Sequence, residues 1–233
     1  MAITPSTSPT KKVLVIGASG LTGQLLVKKL INDIEIDEIH LLLRRKSSIS
    51  SSKVHQHIID FNNIEIFNYL FQCDVIFCCL GTTLRIAKTK ANFKAVDIEL
   101  VSKCAELAAS ENCTKLIIIS AIGANSRSLF FYNKCKGEMQ NNVIAACADT
   151  QTQVVFCQPS LLLGAREEKR KAEELSAKLS LWFNFIWHGA MKKYQPITAS
   201  QLASAMLELA KIKNQESVTV VNNQTLHQLS IKH

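Results

Sequence analysis

Three glycines separate an apolar segment from an amphipathic one near the start of the chain. Residues 13–30 read VLVIGASGLTGQLLVKKL, and Gly17, Gly20 and Gly23 follow the apolar run VLVI. A short apolar run rich in β-branched residues is typical of a buried strand. The leucines between residues 21 and 31 recur along one side of a helix. The segment therefore predicts a buried strand, a glycine turn and a helix in direct succession.

This junction has the properties of a phosphate site. A helix that begins directly after a strand presents unpaired backbone N–H groups and the positive end of its dipole. Gly17 permits the tight turn, Gly20 lets a pyrophosphate approach the backbone, and Gly23 lets the helix pack closely on the sheet. The spacing GxxGxxG is wider by one residue than the common GxGxxG dinucleotide fingerprint, and a purely structural glycine turn is the alternative. The residues predicted to bind the dinucleotide here are Gly17, Ser19, Gly20, Leu21, Thr22 and Gly23.

Short apolar runs and helical stretches alternate along most of the chain. Because neighbouring parallel strands need a crossover connection, this alternation predicts an α/β fold. We expect a doubly wound, mainly parallel Rossmann-like sheet with helices on both faces and a small C-terminal substrate-side region. The predicted strands are 13–16, 39–43, 54–59, 75–80, 116–119 and 154–156. The predicted helices are 21–31, 91–109, 130–148 and 200–213, and the connection around 61–71 stays open.

The length of the chain favours one domain. Its 233 residues suffice for one α/β core but not for two independent ones. We expect a flexible tail over residues 1–11, which are rich in Ser, Thr and Pro, and a single domain over residues 12–233. The nucleotide part of this domain is predicted at about 12–158 and the substrate side at about 159–233.

Net charge, cysteine content and hydropathy indicate which partners and which cellular environment to expect. The net charge of +8 favours anionic partners, but no basic stretch carries the interleaved aromatic residues of a nucleic-acid platform. The eight cysteines include no CxxC pair, which is typical of reduced thiols. No signal peptide and no run of membrane-spanning length is recognisable. We expect a cytoplasmic protein with a small-molecule substrate, no nucleic-acid partner and no membrane span. A protein partner and the oligomeric state stay open.

Basic residues stand where many NAD-binding folds carry an acidic one. The second strand ends in LLLRRKSS, which places Arg44 and Arg45 about where a ribose 2′-phosphate would lie. Two guanidinium groups there favour NADP(H) over NAD(H), and a merely solvated strand exit is the alternative. Asp60, predicted to end the third strand, is a candidate contact for the adenine. Gly81 and Thr82 follow the fourth strand, at the edge where the cofactor crevice forms.

A candidate catalytic set follows the fifth strand. Tyr132 and Lys136 are four residues apart on a predicted helix and therefore share a face. A protonated Lys136 is expected to lower the pKa of Tyr132 by roughly 1 to 3 units, towards the range useful for acid–base chemistry. Tyr132 would then donate a proton to a carbonyl oxygen as hydride arrives. Ser120, at the end of the fifth strand, would polarise the same oxygen.

Taken together, these segments resemble the atypical short-chain dehydrogenase/reductase superfamily, in particular its Tat-interacting-protein-like and epimerase/dehydratase-like members. The motifs GASGLTG, CCLGTTLRIAK, SAIGAN, YNKCKGE and QPSLLLG occur in the order of that family. The resemblance implies a Rossmann-like domain, NADP(H) binding and a Ser/Tyr/Lys set carried by Ser120, Tyr132 and Lys136. One departure is Ala121, which stands where many relatives have a second hydroxyl residue. Ser126 and Ser128 are weaker substitutes because they lie in the following loop.

Three other features carry competing interpretations. His55 and His57 alternate in a predicted strand and share a face, but no third ligand has suitable spacing, so no metal site is expected. The charged run at 166–178 is most simply a solvated helix. The aromatic cluster at 181–188 is interpreted as core or oligomer contacts, with a lid over the nucleotide site as the alternative. Its members are Trp182, Phe183, Phe185 and Trp187.

Two classes of function remain. The leading hypothesis is an NADPH-dependent oxidoreductase, or a related epimerase-like enzyme, that acts on a small carbonyl or hydroxyl substrate. The alternative is a non-catalytic NADP(H)-binding regulator or protein-interaction module. The Tyr132–Lys136 pair favours the enzyme, whereas Ala121 and the short substrate-side region leave room for the regulator.

Overall fold

A computed structural model of the chain describes residues 11–163, 193–213 and 216–231. These residues contain a seven-stranded sheet with the order β3-β2-β1-β4-β5-β6-β9, in which every neighbouring pair is parallel. A two-stranded parallel sheet pairs β7 with β8. The strands are β1 (Lys11–Ile16), β2 (Ile36–Leu43), β3 (Val54–Ile58), β4 (Val75–Cys78), β5 (Lys115–Ile119), β6 (Gln153–Gln158), β7 (Leu162–Leu163), β8 (Ile197–Thr198) and β9 (Val218–Asn222).

The helices connect the strands as crossovers, which confirms the doubly wound α/β fold. The connection around 61–71, which the sequence pattern left open, is 3₁₀-helical over Phe61–Phe71 and is interrupted at Asn63 and Phe67. A π-helical turn, Ala95–Leu100, joins α3 to α4. The α-helices are α1 (Leu21–Asn32), α2 (Leu84–Ala87), α3 (Lys90–Lys94), α4 (Val101–Ser110), α5 (Phe131–Cys147), α6 (Ala199–Lys211) and α7 (Asn223–Ser230).

The boundaries differ from the expected ones at both ends of the chain. Lys11 is the first residue of β1, so the last residue of the predicted flexible tail belongs to the sheet. Strand β9 and helix α7 were missed, because β9 is only five residues long and α7 is eight residues long and mostly polar. No helix among the described residues has both the length and the hydropathy needed to span a membrane.

Side chains that alternate along the buried strands form a hydrophobic core on each face of the sheet. Val13 and Val15 of β1 pack in the cluster that includes residues of α1 and α6. Leu14 and Ile16 pack in the other cluster, with residues of α4 and α5. Successive side chains of a strand point to opposite faces, so strands that are apolar at every position must be covered on both sides. All eight cysteines carry free thiols, and most of them are buried.

Two lysines close the C-terminal end of α6. Lys115 is only 4% exposed, and its Nζ donates to the carbonyl of Leu209 at 3.0 Å and to the carbonyl of Ile212. Lys11 Nζ donates to the carbonyl of Ala210 at 3.2 Å. The last carbonyls of a helix lack partners within it and carry a partial negative charge, which ammonium groups compensate. These contacts fix α6 against the first and fifth strands.

A chain of polar contacts joins three residues of β2 and β3. His40 Nδ1 lies 2.8 Å from His57 Nε2, and His40 Nε2 lies 2.7 Å from Glu38 Oε1. The rings of His55 and His57 both stack on that of His40, with centroids 5.2 and 5.1 Å away. His55 and His57 thus share a face, as the alternation predicted. No group of three or more potential metal ligands is found among the residues that the structure describes.

This histidine cluster should make folding sensitive to mild acid. Burial lowers the pKa of His40 and that of His57. Because both pKa values are lower in the folded protein, the unfolded chain binds more protons as the pH falls below about 6.5, and folding loses stability. We expect His57→Gln to reduce the fall in thermal unfolding midpoint between about pH 8 and pH 5. His55→Gln, at an exposed ring of the same strand, is the control. An unaltered pH dependence in His57→Gln would contradict this account.

Candidate functional site

The glycine turn is held by close backbone packing at two of its three glycines. Gly17 has a φ of +83°, and a Cβ there would lie 2.7 Å from the carbonyl carbon of Cys79. A Cβ at Gly23 would lie 2.3 Å from the carbonyl oxygen of Gly17. Gly23 therefore packs against the turn itself, rather than against the sheet as expected. Both positions require glycine for steric reasons alone.

Gly20 differs, because its surroundings are less crowded. The nearest atom to a Cβ there is the Gly17 carbonyl oxygen, at 3.3 Å, and the backbone φ is −75°. Gly20 is the N-cap of α1, and no side chain caps the helix. The first N–H groups of α1, including those of Leu21 and Thr22, are thus available to an anion. This arrangement fits the pyrophosphate of a dinucleotide.

Arg44 and Arg45 lie on the same side of the sheet edge as the glycine turn. Both follow β2 directly, both are exposed, and together with Ser19 they line a cavity of about 410 Å³. The structure therefore places two guanidinium groups beside a residue of the turn. A phosphate ester in this cavity would be bound by charge-assisted hydrogen bonds.

Asp60 does not stand where it was expected. Strand β3 ends at Ile58, and Asp60 instead caps the 3₁₀-helical segment that follows. Its carboxylate accepts hydrogen bonds from the backbone N–H and the side-chain amide of Asn62, at 3.0 and 2.9 Å. Asp60 is exposed, and contact with an adenine stays a prediction.

The loop after β4 is tied to a residue that sequence reasoning missed. The Thr82 N–H donates to Oδ2 of Asp97 at 2.8 Å. Oδ1 of Asp97 lies 2.7 Å from Lys136 Nζ, and both side chains are buried. A Cβ at Gly81 would lie 3.7 Å from Asp97 Oδ1 and 4.0 Å from Lys136 Nζ. The loop of Gly81 and Thr82 therefore adjoins the predicted catalytic lysine.

The residues of the predicted catalytic set meet at the carboxyl end of β5. Ser120 is 2% exposed, and its Oγ accepts a hydrogen bond from Gln140 Nε2 at 2.8 Å. Lys136 is also buried, and its Nζ donates to the carbonyl of Ile119 at 3.5 Å. Tyr132 is 42% exposed and is therefore open to a substrate. Spacing of four residues puts Tyr132, Lys136 and Gln140 on one face of α5, so the spacing was a signal for Gln140 too.

Helix α5 is docked onto the preceding loop by two residues of the YNKCKG segment. Asn133 Nδ2 donates to the carbonyls of Ile122 and Gly123, at 3.0 and 2.9 Å. A Cβ at Gly137 would lie 2.1 Å from the backbone nitrogen of Ser126, so the helix and the loop are in direct backbone contact. These contacts fix the helix face that carries Tyr132.

The hydroxyl groups of the loop serve the loop's own structure. Ser126 Oγ accepts from the side-chain amide of Asn141 at 3.1 Å, and Ser128 Oγ accepts from the Phe130 N–H at 3.2 Å. Ser120, in contrast, directly follows β5, and Lys136 Nζ donates to the carbonyl of the preceding residue, Ile119. Of the three serines, Ser120 is therefore the one next to the residue that Lys136 contacts.

The pKa of Tyr132 is raised, which contradicts the expectation that Lys136 would lower it. Although the residue as a whole is 42% exposed, loss of hydration around its phenol is the largest cause of the raised pKa, and the negative charge of Asp97 adds to it. The positive charge of Lys136 acts in the opposite direction but does not prevail. At neutral pH the phenol is therefore protonated, which suits a proton donor.

Two predicted features of the substrate side fall outside the described residues. These are the charged run at 166–178 and the aromatic cluster at 181–188. Their interpretation stays a prediction.

Relatives of known sequence share most of this chain. The family model described as NAD(P)H-binding matches residues 17–155. Protein HTATIP2 of Rattus norvegicus is 37% identical over 172 residues, which cover 72% of this chain and 69% of that protein. Protein FMP52, mitochondrial, of Candida albicans is 28% identical over 204 residues, which cover 84% of this chain and 86% of that protein.

Solved structures share the fold. The structure of MoeE5 in complex with UDP-glucuronic acid and NAD superposes with a TM-score of 0.69 at 15% sequence identity. The match covers 91% of this chain and 75% of that chain. At this level of identity the similarity concerns the fold alone.

The expectation of a cytoplasmic protein is wrong. The relative from Candida albicans is named as a mitochondrial protein, and relatives from two further fungi carry the same name. The inference from cysteine content failed because reduced thiols are compatible with more than one compartment.

The fold, the glycine turn and the similarity to known proteins all indicate the same family. The strand order reverses between β1 and β4, the place where doubly wound sheets bind nucleotides. The matched region contains the glycine turn, the loop after β4 and helix α5. The chain therefore belongs to the NAD(P)H-binding family, as an atypical short-chain dehydrogenase/reductase with a Rossmann-like fold.

Proposed function

We propose that this protein is an NADP(H)-dependent oxidoreductase that transfers hydride to or from a small carbonyl or hydroxyl substrate. The superfamily comprises NAD(P)-binding oxidoreductases and epimerase-like enzymes, and the finer assignment is supported mainly by one observation. Ser120 is buried at the carboxyl end of β5, and buried Lys136 donates to the carbonyl of the preceding residue, Ile119, while Tyr132 on the same helix face as Lys136 is open to solvent. This is the arrangement that general acid catalysis at a carbonyl oxygen needs.

The residues at the sheet edge fit such a cofactor. The pyrophosphate would lie at Gly20 and the first N–H groups of α1, which no side chain caps. Arg44 and Arg45 would hold a 2′-phosphate in the cavity that they line with Ser19. Asp60 would contact the adenine, and the loop of Gly81 and Thr82 would border the nicotinamide side.

The chain's own residues then supply the proton chemistry. A bound nicotinamide cofactor would deliver or accept the hydride. In the reducing direction, the Tyr132 hydroxyl donates its proton to the carbonyl oxygen of the substrate. Ser120 Oγ, which Gln140 orients, donates a second hydrogen bond to the same oxygen. The ammonium of Lys136 stabilises the phenolate that is left on Tyr132.

A non-catalytic NADP(H)-binding regulator is the second candidate. The family resemblance implies a second hydroxyl residue after Ser120, where this chain has Ala121. This departure favours weak catalysis. Incubation with NADPH and a panel of aldehydes, ketones and nucleotide sugars, followed by nicotinamide absorbance, separates the candidates. Turnover of any substrate supports the enzyme, and cofactor binding without turnover supports the regulator.

We also propose a mitochondrial location, because relatives named FMP52 are described as mitochondrial. Fractionation of cells that express the full chain should recover it with mitochondrial markers. Recovery in the soluble cytosolic fraction would contradict this.

Gly20→Val should abolish NADPH binding while the fold survives. The Val side chain would occupy the space assigned to the pyrophosphate. Its Cβ would make one close contact, 3.3 Å from the Gly17 carbonyl oxygen, and the extended backbone at Gly20 accepts a β-branched residue. Calorimetric titration with NADPH, together with circular dichroism, measures both properties. Gly23→Ala is the contrasting variant, because its Cβ would clash with the turn and lower the unfolding midpoint. Wild-type affinity in folded Gly20→Val would rule out this cofactor site.

Replacement of both Arg44 and Arg45 with Ala should reduce NADPH affinity by about tenfold to a hundredfold, since charge-assisted hydrogen bonds to the 2′-phosphate are lost. NADH affinity should change little, because NADH lacks that phosphate. The difference should shrink as ionic strength rises, since exposed charges are screened. Lys46→Ala, at the next exposed residue, controls for a general loss of positive charge. An unchanged ratio of NADPH to NADH affinity at low salt would exclude this role.

Tyr132→Phe should lower turnover by about 100-fold or more, because the proton donor is removed. NADPH affinity should stay close to that of the wild type. Steady-state kinetics on a substrate found in the panel, together with fluorescence titration of NADPH, measure the two quantities. Tyr69→Phe, at an exposed tyrosine of the 3₁₀-helical segment, is the control. If Tyr132→Phe turns over normally, the residue has no part in the reaction.

A further inference from the structure

We propose that Asp97 is a positioning residue, whose buried carboxylate holds Lys136 in place and links it to the loop of Gly81 and Thr82. The inference rests on the proposed function only in assigning Lys136 a role in turnover. The ion pair itself and its coupling to cofactor binding can be measured without any turnover.

The geometry is that of a bridge between two parts of the site. Asp97 is 0% exposed, and the side chain of Lys136 is 3% exposed. Oδ1 lies 2.7 Å from Lys136 Nζ, and Oδ2 accepts the Thr82 N–H at 2.8 Å. Among the described residues, Lys136 is the partner that compensates the burial of Oδ1. One carboxylate thus contacts both the lysine and the loop after β4.

The local fold brings Asp97 inward. It lies in the π-helical turn Ala95–Leu100, between Phe93 and Val101, which are both buried at four-residue intervals from it. π-helical turns inside α-helices occur often at functional sites. Phe93 packs edge-on against Tyr132, with ring centroids 5.9 Å apart. The helix that carries Asp97 therefore also contacts the predicted proton donor.

A structural role alone would not require this pair. Moving a carboxylate and an ammonium out of water is costly, and apolar residues of similar volume often replace buried ion pairs without loss of stability. Lys136 has three N–H groups, of which one faces Asp97 and another the Ile119 carbonyl. The third is left for the phenol of Tyr132 or for a bound cofactor. Asp97 thus fixes the direction in which the lysine acts.

A double-mutant cycle with Asp97→Asn, Lys136→Met and the double variant tests the proposal. Asp97→Asn is isosteric and keeps an acceptor for the Thr82 N–H. We expect it to lower kcat by about tenfold or more with a smaller change in KM, because a displaced catalytic group affects the transition state more than substrate binding. In the Lys136→Met background the same substitution should have no further effect on kcat or on NADPH affinity, because its target is gone.

Thermal unfolding gives a readout that does not depend on activity. Lys136→Met should lower the unfolding midpoint, because Asp97 becomes an unpaired buried charge, and adding Asp97→Asn should restore it. Glu138→Gln with Lys134→Met, a partly exposed pair on α5, is the matched control and should show no such restoration. If neither single variant folds, the double variant should still fold.

Additive losses would overturn the proposal. If Asp97→Asn lowers kcat or NADPH affinity as much in the Lys136→Met background as in the wild type, Asp97 does not act through the lysine. A double variant that is no more stable than Lys136→Met would contradict it as well. If the wild type turns over no substrate, the proposed function fails, while NADPH affinity and the unfolding midpoints still decide the role of Asp97.

Discussion

The backbone contact between the glycine turn and the end of β4 determines where a site can form in this molecule. A side chain at Gly17 would collide with the backbone of Cys79, so the turn after β1 rests directly on the chain that leaves β4. β1 and β4 are neighbours at the point where the strand order reverses, and the crevice at such a point binds ligands. The N-terminus of α1 and the loop of Gly81 and Thr82 are thereby held at one edge. The ligand does not need to bring them together.

Most of the fold could be predicted from local patterns. The inner strands β1, β4, β5 and β6 are apolar over most of their length, and the glycine turn has a steric requirement that few other structures share. Position along the chain also predicted that Arg44 and Arg45 lie near the glycine turn, because strand ends in a parallel sheet meet at one edge. The end of β3 was predicted at Asp60, but the strand ends two residues earlier, at Ile58. The exact end of a strand depends on its pairing with a neighbouring strand, which the local sequence does not show. β9 was missed because it is short and only partly buried at the edge of the sheet, and its pairing with β6 joins residues that are distant in the sequence.

The least predictable features are contacts between distant residues. Asp97 lies on the buried side of a helix, between the buried residues Phe93 and Val101. Charged residues are rarely buried without a partner, so its position on an apolar helix face was the one sign in the sequence of a functional role. Its partner Lys136 belongs to another helix, so spacing along the chain could not reveal the ion pair. The error on Tyr132 has the same origin. The sequence shows Lys136, which lowers the pKa of Tyr132, because it lies only four residues away. Burial and the charge of Asp97 raise this pKa by more, and both depend on the fold.

The charged residues of the proposed site lie in two different dielectric environments. Arg44 and Arg45 are exposed, so dissolved ions screen their attraction for a phosphate. Asp97 and Lys136 are enclosed by protein, where salt has little access and the interaction between charges is stronger. Affinity for an anionic cofactor and the protonation of Tyr132 are therefore governed by separate sets of charges. It follows that ionic strength should act on cofactor binding and leave the proton-transfer step nearly unchanged, because the charges around Tyr132 are paired within the protein.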